Sequence, residues 1–272
     1  MKIIDCFMYF DEDHLLEIRL NTLYNFVDKF VIVEANLDHA GNHRKPQFNI
    51  SNFAKFKNKI HYILLKDLPS HNNFYKKNWG PAWRRENLQR NALSKGYEDC
   101  NPDDLIMISD LDEIPNPFKI SEFKTDNKLA CFVQGNFLLK FNLLNVTEPN
   151  WYGTRMCRKR DLKSPQWLRE IKTGKIAFYK FYKPRFDKFI HNGGWHFSSV
   201  KSSEGIYKKL NSYAEQQWNN DKFKDMAIIE KKIKERKDLF DRHDFKTIKI
   251  DNSFPKYLSD NKDRFKSFIY EV

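Results

Sequence analysis

The chain has 272 residues, of which 40% are hydrophobic, 31% charged and 15% aromatic. That is enough apolar material for a sizeable core and too much for a disordered protein. No stretch approaches the roughly 18 consecutive apolar residues of a membrane-spanning helix. The amino terminus reaches an acid at Asp5, which is too early for a signal peptide.

The cysteines lie far apart and form no CxxC pair: Cys6, Cys100, Cys131 and Cys157. This spacing indicates reduced, packed thiols rather than a disulfide framework or a zinc site. We therefore expect a cytoplasmic protein with no integral membrane segment.

The formal net charge is +12, and three interpretations compete: a nucleic-acid partner, an anionic membrane surface, or a solvated surface. The basic residues are spread along the chain and interleaved with acids, as in residues 230–237 (EKKIKERK). Interleaving of this kind is typical of a solvated helix face. The pattern therefore predicts no nucleic-acid partner.

The first half of the chain alternates strand and helix patterns. Apolar, β-prone runs predict strands over residues 2–10, 29–35, 59–65 and 104–109. One helix is predicted after a cap at Asp11 or Asp13, and another from Gly80-Pro81 to about Lys95. Such alternation predicts an α/β fold whose sheet has parallel strands and helices on both faces.

The second half of the chain has a different pattern of predicted strands and helices. Strands are predicted over residues 131–141, 154–160 and 189–197, and helices over 203–218 and 221–240. No internal repeat or low-complexity linker divides the chain, so a single domain is predicted.

Three acids follow directly after the strand predicted over 104–109: Asp110, Asp112 and Glu113. Ligands of open α/β sheets bind beyond the carboxyl ends of the strands, which is where these acids lie. Carboxylates this close repel one another unless water or a cation neutralises them, and oxygen ligands suit Mg²⁺ or Mn²⁺. The alternative is a solvated turn that ends at Pro115. Because the acids follow a buried strand, we favour the interpretation of a metal site that binds a diphosphate.

A second group lies at Gly193-Gly194-Trp195-His196. A histidine in an aromatic strand is more often a packed core residue than a ligand. The two glycines, however, permit close approach of the backbone to a phosphate or a sugar. His196 with Asp110 and Asp112 would form an octahedral site for Mn²⁺, which accepts imidazole more readily than Mg²⁺ does.

Two further groups are candidates for contact with a nucleotide. Arg84 and Arg85 lie near a predicted helix start, where phosphate binding is favoured and a solvated helix is the alternative. On the same helix, Glu86 and Arg90 have the spacing of an ion pair. Glu34 ends the second predicted strand, where an acid often meets a ribose or base, and a loop cap is the alternative.

Together these residues resemble glycosyltransferase family 17. The matching segments extend over nearly the whole chain: residues 5–7 (DCF), 31–35 (VIVEA), 110–115 (DLDEIP), 194–196 (GWH), 204–207 (EGIY) and 255–258 (PKYL).

The resemblance implies a GT-A-like fold with a mixed central sheet, UDP-N-acetylglucosamine as the donor, a glycan acceptor, Mn²⁺ dependence and inversion at the anomeric carbon. By their position in the family's pattern, Asp110 and Asp112 would bind the metal and the nucleotide, and His196 would be the late metal ligand. Residues 1–115 would form a nucleotide-binding half that ends in the DxD motif. Residues 116–272 would form an acceptor half with helices at its end.

An inverting transfer needs a carboxylate that takes the proton of the acceptor hydroxyl. Glu204 is the first candidate, because it follows the predicted histidine ligand and begins a predicted helix. Asp161 and Glu170 are alternatives that spacing cannot rank. Two other functions remain open: a nucleotide- or polyanion-binding module without turnover, and a metal-dependent phosphohydrolase, which usually needs a second set of metal ligands.

Overall fold

Four parallel strands form one half of the central sheet in the computed structural model, which describes residues 1–69, 80–174, 182–212 and 225–272. They are β1 (Ile3–Met8), β2 (Lys29–Ala35), β3 (Ile60–Leu65) and β4 (Leu105–Asp110). Their order in the sheet is β3-β2-β1-β4. The chain therefore leaves β1 on one side and returns on the other at β4. A ligand cleft is expected at this reversal, beyond the carboxyl ends of β1 and β4.

Seven further strands extend the sheet within the described residues. They are β5 (Glu113–Pro115), β6 (Leu129–Leu138), β7 (Leu143–Asn145), β8 (Asn150–Arg158), β9 (Lys188–Ile190), β10 (Gly194–Ser198) and β11 (Phe245–Thr247). β8 runs antiparallel to β4 and to β6, while β9 and β10 run parallel to β6. The sheet is therefore mixed, as the family resemblance implied.

Helices cover both faces of this sheet. They are α1 (Asp13–Leu23), α2 (Pro81–Asn91), α3 (Pro165–Glu170), α4 (Ser203–Ser212), α5 (Met226–Lys234) and α6 (Lys256–Asp260). Phe7 of β1 packs in one apolar cluster with Leu16 of α1, whereas its neighbour Cys6 packs in another with Leu168 of α3. This alternation follows the two-residue period of a strand. The predicted α/β single domain with helices on both faces is confirmed, and the four cysteines are free and buried.

Several elements differ from the sequence predictions. The strand predicted over 189–197 is two strands, because the chain turns at Asn192, whose φ is +50°. The helix predicted to reach Lys95 ends at Asn91 and continues as a 3-10 helix over Ala92–Gly96. Neither Asp11 nor Asp13 is the N-cap of α1: that position is Glu12, and Asp13 is the first helical residue.

The two predicted carboxy-terminal helices are partly confirmed. α4 begins at Ser203 as expected, but residues 213–224, which include the predicted end of that helix, lie outside the described residues. The helix predicted over 221–240 ends at Lys234, and Arg236 follows with a φ of +57°. β5, β7, β11, α3 and α6 have no counterpart in the predictions, because six residues or fewer give little periodic signal.

The interleaved charges after α4 form surface ion pairs. Glu235 pairs with Lys231 (4.0 Å) and with Lys237 (3.0 Å), and Lys232 pairs with Asp241. This is the arrangement that the solvated-surface interpretation predicts. None of the helices in the described ranges has both the length and the apolar character needed to cross a membrane.

Candidate active site

The loop between β4 and β5 carries the acidic motif, and a buried arginine of α1 shapes its backbone. Arg19 donates to the carbonyl oxygens of Asp110 (3.0 Å), Leu111 (3.1 Å) and Glu113 (3.0 Å). The same guanidinium forms two bonds to Asp5, of 2.6 and 2.8 Å, and neither side chain has exposed surface. Because Asp5 compensates its charge, Arg19 stays in the core and fixes the course of the loop.

Glu113 is buried and holds the loop from within. Its carboxylate accepts hydrogen bonds from the backbone N–H of Asp110 (3.0 Å) and from the indole of Trp151 (2.8 Å). Arg169 donates to it twice, at 2.7 and 2.9 Å. Glu113 therefore connects the motif to β8 and α3.

Asp110 is held by two arginines. One carboxylate oxygen accepts a bond from Arg90 (3.1 Å) and the other from Arg169 (2.9 Å). Burial favours protonation of this carboxyl, but the charges of Arg169 and Arg90 outweigh it and hold the pKa of Asp110 well below its usual range. Arg90 also pairs with Glu86 at 2.6 Å, which confirms the ion pair predicted from spacing.

Asp112 is in a different electrostatic setting. Burial raises the pKa of its carboxyl to about 7, and the negative charges of Asp110, Glu113 and Glu12 act in the same direction, although Lys209 opposes them. The ionised form of Asp112 is therefore unfavourable in the isolated chain, and a bound cation would relieve this penalty.

The pairing of β5 with β10 places His196 beside Asp112. His196 lies opposite Glu113 in the register, and the backbone N–H of Phe197 donates to the carbonyl oxygen of Asp112 (2.8 Å). As a result, Nε2 of His196 lies 3.9 Å from Oδ2 of Asp112. Residues that are more than 80 positions apart in the sequence thus meet at one point.

Hydrogen bonds assign the tautomer of His196. The side-chain amide of Asn136 donates to the carbonyl oxygen of Glu148 (2.9 Å), so its own oxygen faces Nδ1 of His196 at 3.0 Å. Nδ1 therefore carries the proton, and Nε2 directs its lone pair towards Asp112. Burial lowers the pKa of His196 to about 4, so the ring is neutral at neutral pH. Trp151 stacks on the ring with centroids 4.3 Å apart.

A cleft of about 290 Å³ opens above these side chains, beyond the carboxyl ends of β1 and β4. Its lining consists of Met8, Tyr9, Phe10, Glu12, His39, Trp83, Glu86, Gln89, Arg90, Asp110, Leu111, Asp112, Trp151, His196, Ser198 and Lys209. The structure therefore brings Asp110, Asp112 and His196 together at the reversal of strand order, where a ligand site is expected.

The donor atoms in the cleft suit a hard divalent cation. In the ranges that the structure describes, no three His, Cys, Asp or Glu side chains are spaced to hold a metal ion. Asp112 and His196, however, present a carboxylate whose ionised form is disfavoured by burial and a neutral imidazole oriented by Asn136. Mg²⁺ and similar ions are often bound by one or two protein ligands, with water and substrate phosphates completing the shell. The pair fits such an ion, whereas the oxygens of Asp110 already accept bonds from arginines.

Glu34 lies outside the cleft and ties down the loop that follows β2. Its buried carboxylate accepts bonds from the backbone N–H groups of Gln47 (2.7 Å) and Phe48 (3.1 Å) and from the hydroxyl of Tyr62 (2.8 Å). Arg44 pairs with it at 2.8 Å. These contacts match the loop-cap alternative.

The other predicted nucleotide contacts on α2 are also absent from the cleft lining. Arg85 is buried and donates to the carbonyl oxygens of His39 (2.9 Å) and Pro69 (3.2 Å). Arg84 is exposed on the surface of α2. Arg90, one and a half turns further along the helix, is the arginine of α2 that lines the cleft.

Packing accounts for the two glycines before Trp195. A Cβ at Gly193 would lie 2.6 Å from the carbonyl oxygen of Ile190, and one at Gly194 would lie 2.1 Å from that of Ile114. Gly194 also has a φ of +132°, which disfavours other residues. Both glycines allow β10 to approach its neighbouring segments closely.

None of the three base candidates lines the cleft. Glu204 is exposed at the start of α4, and Glu170 is exposed at the end of α3, where it accepts a bond from Gln166 (3.1 Å). Asp161 follows β8 near the amino end of β4, at the opposite edge of the sheet. The carboxylates that do line the cleft are those of Glu12, Glu86, Asp110 and Asp112.

The sequence predictions did not include Arg19, Arg169, Trp151 or Glu12. A signal for Arg19 exists, because it lies on the apolar face of α1 and Asp5 interrupts an otherwise apolar strand. A buried carboxylate requires a buried partner. Arg169, Trp151 and Glu12 show no comparable signal, since only the fold brings Trp151 and Glu12 to the cleft and Arg169 to the carboxylates of Asp110 and Glu113.

Comparison with known proteins identifies relatives of the chain. The model of glycosyltransferase family 17 matches residues 1–269. Similar proteins include the β-1,4-mannosyl-glycoprotein 4-β-N-acetylglucosaminyltransferases of Homo sapiens, Rattus norvegicus and Mus musculus. Each is 26% identical over 234 residues, which cover 77% of this chain and 42% of the relative. The match therefore spans less than half the length of these relatives.

Proposed function

The chain belongs to glycosyltransferase family 17, and we propose that it transfers N-acetylglucosamine from UDP-N-acetylglucosamine to a hydroxyl group of a glycan. We propose further that the reaction inverts the anomeric carbon, requires Mn²⁺ or Mg²⁺, and takes place on a GT-A-like fold in the cytoplasm. The names of the relatives support the choice of sugar. The observation that carries the proposal is the Asp112–His196 pair in a cleft at the reversal of strand order.

In this proposal, cationic and aromatic side chains of the cleft bind the donor. Arg90 and Lys209 are the cationic side chains of the lining that would contact a diphosphate, and Arg90 also pairs with Glu86 and Asp110. Trp83 and Trp151 also line it, and their rings provide surfaces for the uracil or the sugar. We therefore assign donor binding to these residues instead of Glu34, Arg84 and Arg85, the candidates that the sequence pattern favours.

Asp112 and His196 would hold the cation, which would neutralise the negative charge that develops on the departing UDP. Neighbouring side chains orient His196 for this role. Asn136 accepts a hydrogen bond from Nδ1, which leaves the lone pair of Nε2 free for a ligand, and Trp151 fixes the plane of the imidazole ring. Arg169 and Arg90 keep Asp110 ionised and in place.

We propose Glu12 as the base that takes the proton of the acceptor hydroxyl. It lines the cleft, unlike Glu204, Asp161 and Glu170. Burial favours the protonated form, but the charge of Lys201, 3.0 Å away, outweighs it and lowers the pKa of Glu12. Glu12 is therefore ionised at neutral pH and able to accept a proton.

A screen of UDP-sugars tests the proposal directly. The purified chain is incubated with each donor and a glycan acceptor, with Mn²⁺ or with EDTA, and released UDP is measured. We expect release from UDP-N-acetylglucosamine with Mn²⁺, its loss in Asp112→Asn, and no change in Asp126→Asn, whose carboxylate is exposed away from the cleft. Donor binding without release in any condition would favour a binding module. Release of inorganic phosphate or a sugar phosphate would indicate a phosphohydrolase.

A further inference from the structure

A second cavity, of about 950 Å³, lies on the other face of the sheet from the cleft. On each of two strands, one residue faces the large cavity and the next residue faces the cleft. Asn150 and Trp195 line the large cavity, while their neighbours Trp151 and His196 line the cleft. This follows from the alternation of side chains along a strand. We call the large cavity the amide groove.

Aromatic side chains supply the apolar surface of the amide groove. Phe118 is 76% exposed and meets Phe26 edge to face, with ring centroids 5.1 Å apart. Trp195 is fixed by a bond of 2.9 Å from its indole N–H to the carbonyl oxygen of Ser253, and Tyr257 by a bond of 2.6 Å to Glu17. Several apolar rings that share one cavity with polar side chains around them are typical of a binding surface, whereas a single exposed ring is not.

Asparagine is the main polar side chain of the groove. The lining contains Asn21, Asn25, Asn116, Asn150, Asn192 and Asn252. An amide offers both donors and an acceptor. Within the described part of the chain, the side chains of Asn25, Asn150 and Asn252 make no hydrogen bonds, so their capacity is available to a ligand.

Charge is scarce in the amide groove. In a chain that is 31% charged, its lining has two charged residues, Lys256 and Asp260, and they pair with each other at 2.8 Å. A phosphorylated or otherwise anionic ligand would need cations that this lining does not offer. The groove therefore matches a neutral ligand rich in hydroxyl groups.

We propose that the amide groove is a binding site for a neutral oligosaccharide. The aromatic rings pack against the C–H faces of sugar rings, and the asparagine amides exchange hydrogen bonds with the hydroxyls. The volume lies near the upper end of the range of about 300–1,000 Å³ for ligand sites, so it accommodates more than one sugar ring. This inference does not rest on the transfer reaction, because no side chain of the cleft takes part.

Calorimetric titration with uncharged probes tests the site: chitotetraose, mannopentaose and cellotetraose, each without UDP or metal. We expect at least one to bind the wild-type chain. Phe118→Ala should weaken that binding about 2- to 12-fold, the equivalent of a contact of about 0.5–1.5 kcal/mol with one aromatic ring. Asn252→Ala should weaken it as well, and Phe118→Tyr should retain it. Phe118 is largely exposed, so its replacement leaves the core intact.

Two matched variants serve as controls. Tyr182→Ala removes an aromatic ring that is 71% exposed outside the groove, and Asp112→Asn alters the cleft; neither should change the affinity. Absence of binding by all three probes at about 10 mM, where even a site with a Kd of about 1 mM would be about 90% occupied, would overturn the proposal. Binding that Asp112→Asn removes and Phe118→Ala leaves unchanged would also overturn it, because the sugars would then occupy the cleft.

Discussion

The buried pair of Asp5 and Arg19 is expected to have two separable roles. One is electrostatic, since each charge compensates the other in the core. The second is to position the acidic loop, since Arg19 also donates to three of its carbonyl oxygens. Replacement of Arg19 by Met abolishes both roles, whereas replacement of both residues, Asp5→Leu with Arg19→Met, abolishes only the second without leaving a buried charge.

The structure gives the expected size of each effect. Arg19→Met leaves the carboxyl of Asp5 unpaired with no exposed surface, and loss of one partner from such a pair costs about 3–5 kcal/mol. The three carbonyl oxygens lose a donor, and buried acceptors left unsatisfied cost about 1 kcal/mol or more each. At about 2–4 °C per kcal/mol for a chain of this size, the melting temperature should fall by about 10 °C or more. The double variant should regain most of the charge-related loss.

Denaturant unfolding and UDP release, measured on the wild type, Arg19→Met and the double variant, separate the electrostatic role of Arg19 from its positioning role. We expect the double variant to be more stable than Arg19→Met and yet to have low turnover, because the loop carbonyls still lack their donor. Arg264, whose exposed guanidinium pairs with Glu17 at 2.8 Å, supplies the control: Arg264→Met should change stability by less than about 1 kcal/mol. If the double variant recovered turnover together with stability, Arg19 would serve only to neutralise Asp5.

Four further outcomes are expected. Asp112→Asn should abolish cation-dependent turnover. In the metal-free chain it should raise the melting temperature at pH 8 but not at pH 4, because the fold raises the pKa of Asp112 to about 7 and ionisation of this carboxyl above that pH is destabilising. Equal melting temperatures of the wild type and the variant at pH 8 would contradict this. His196→Ala should lower cation affinity and turnover about 10–100-fold, less than Asp112→Asn, because imidazole brings no charge; unfolding with activity per folded molecule intact would instead identify a packing residue. Glu12→Gln should lower kcat without a matching rise in the KM for the donor, and an unchanged kcat would exclude it as the base. By fluorescence anisotropy, random duplex DNA should bind with a Kd of about 10⁻⁴ M or weaker at ~150 mM salt, whereas micromolar binding would favour a polyanion partner.

The parts of the fold that depend on local pattern were predictable. The four parallel strands are rich in apolar residues, and their alternation with helices predicts the α/β class. The boundary between β9 and β10 was predictable but was missed, since Asn192-Gly193-Gly194 is a turn signal inside the segment predicted as one strand over 189–197. The close approach of Gly193 and Gly194 to neighbouring backbone is a feature that only the structure shows. Short strands such as β7 and β11 form by pairing with distant segments and leave little trace in the sequence.

The candidate site shows the same division. The placement of Asp110 and Asp112 after a strand predicted a ligand site at that edge, and the cleft is there. Arg85 and Glu34 have the residue types and positions of ligand contacts, but their charges are used by backbone groups of nearby loops. Sequence position shows which end of a sheet a residue occupies. It does not show whether the side chain turns to the cleft or to a loop that must be held.

The two aspartates of the motif have the same side chain but different environments, and this difference bears on their roles. Two arginines already balance the charge of Asp110, so a cation would gain little from it unless the arginines moved. Asp112 has the opposite balance: its ionisation is disfavoured by burial and by three neighbouring acids. A cation bound beside His196 would therefore gain most from Asp112. Asp110, fixed to α2 and α3 through Arg90 and Arg169, would instead couple the loop to α3 and to α2, the helix that lines the cleft.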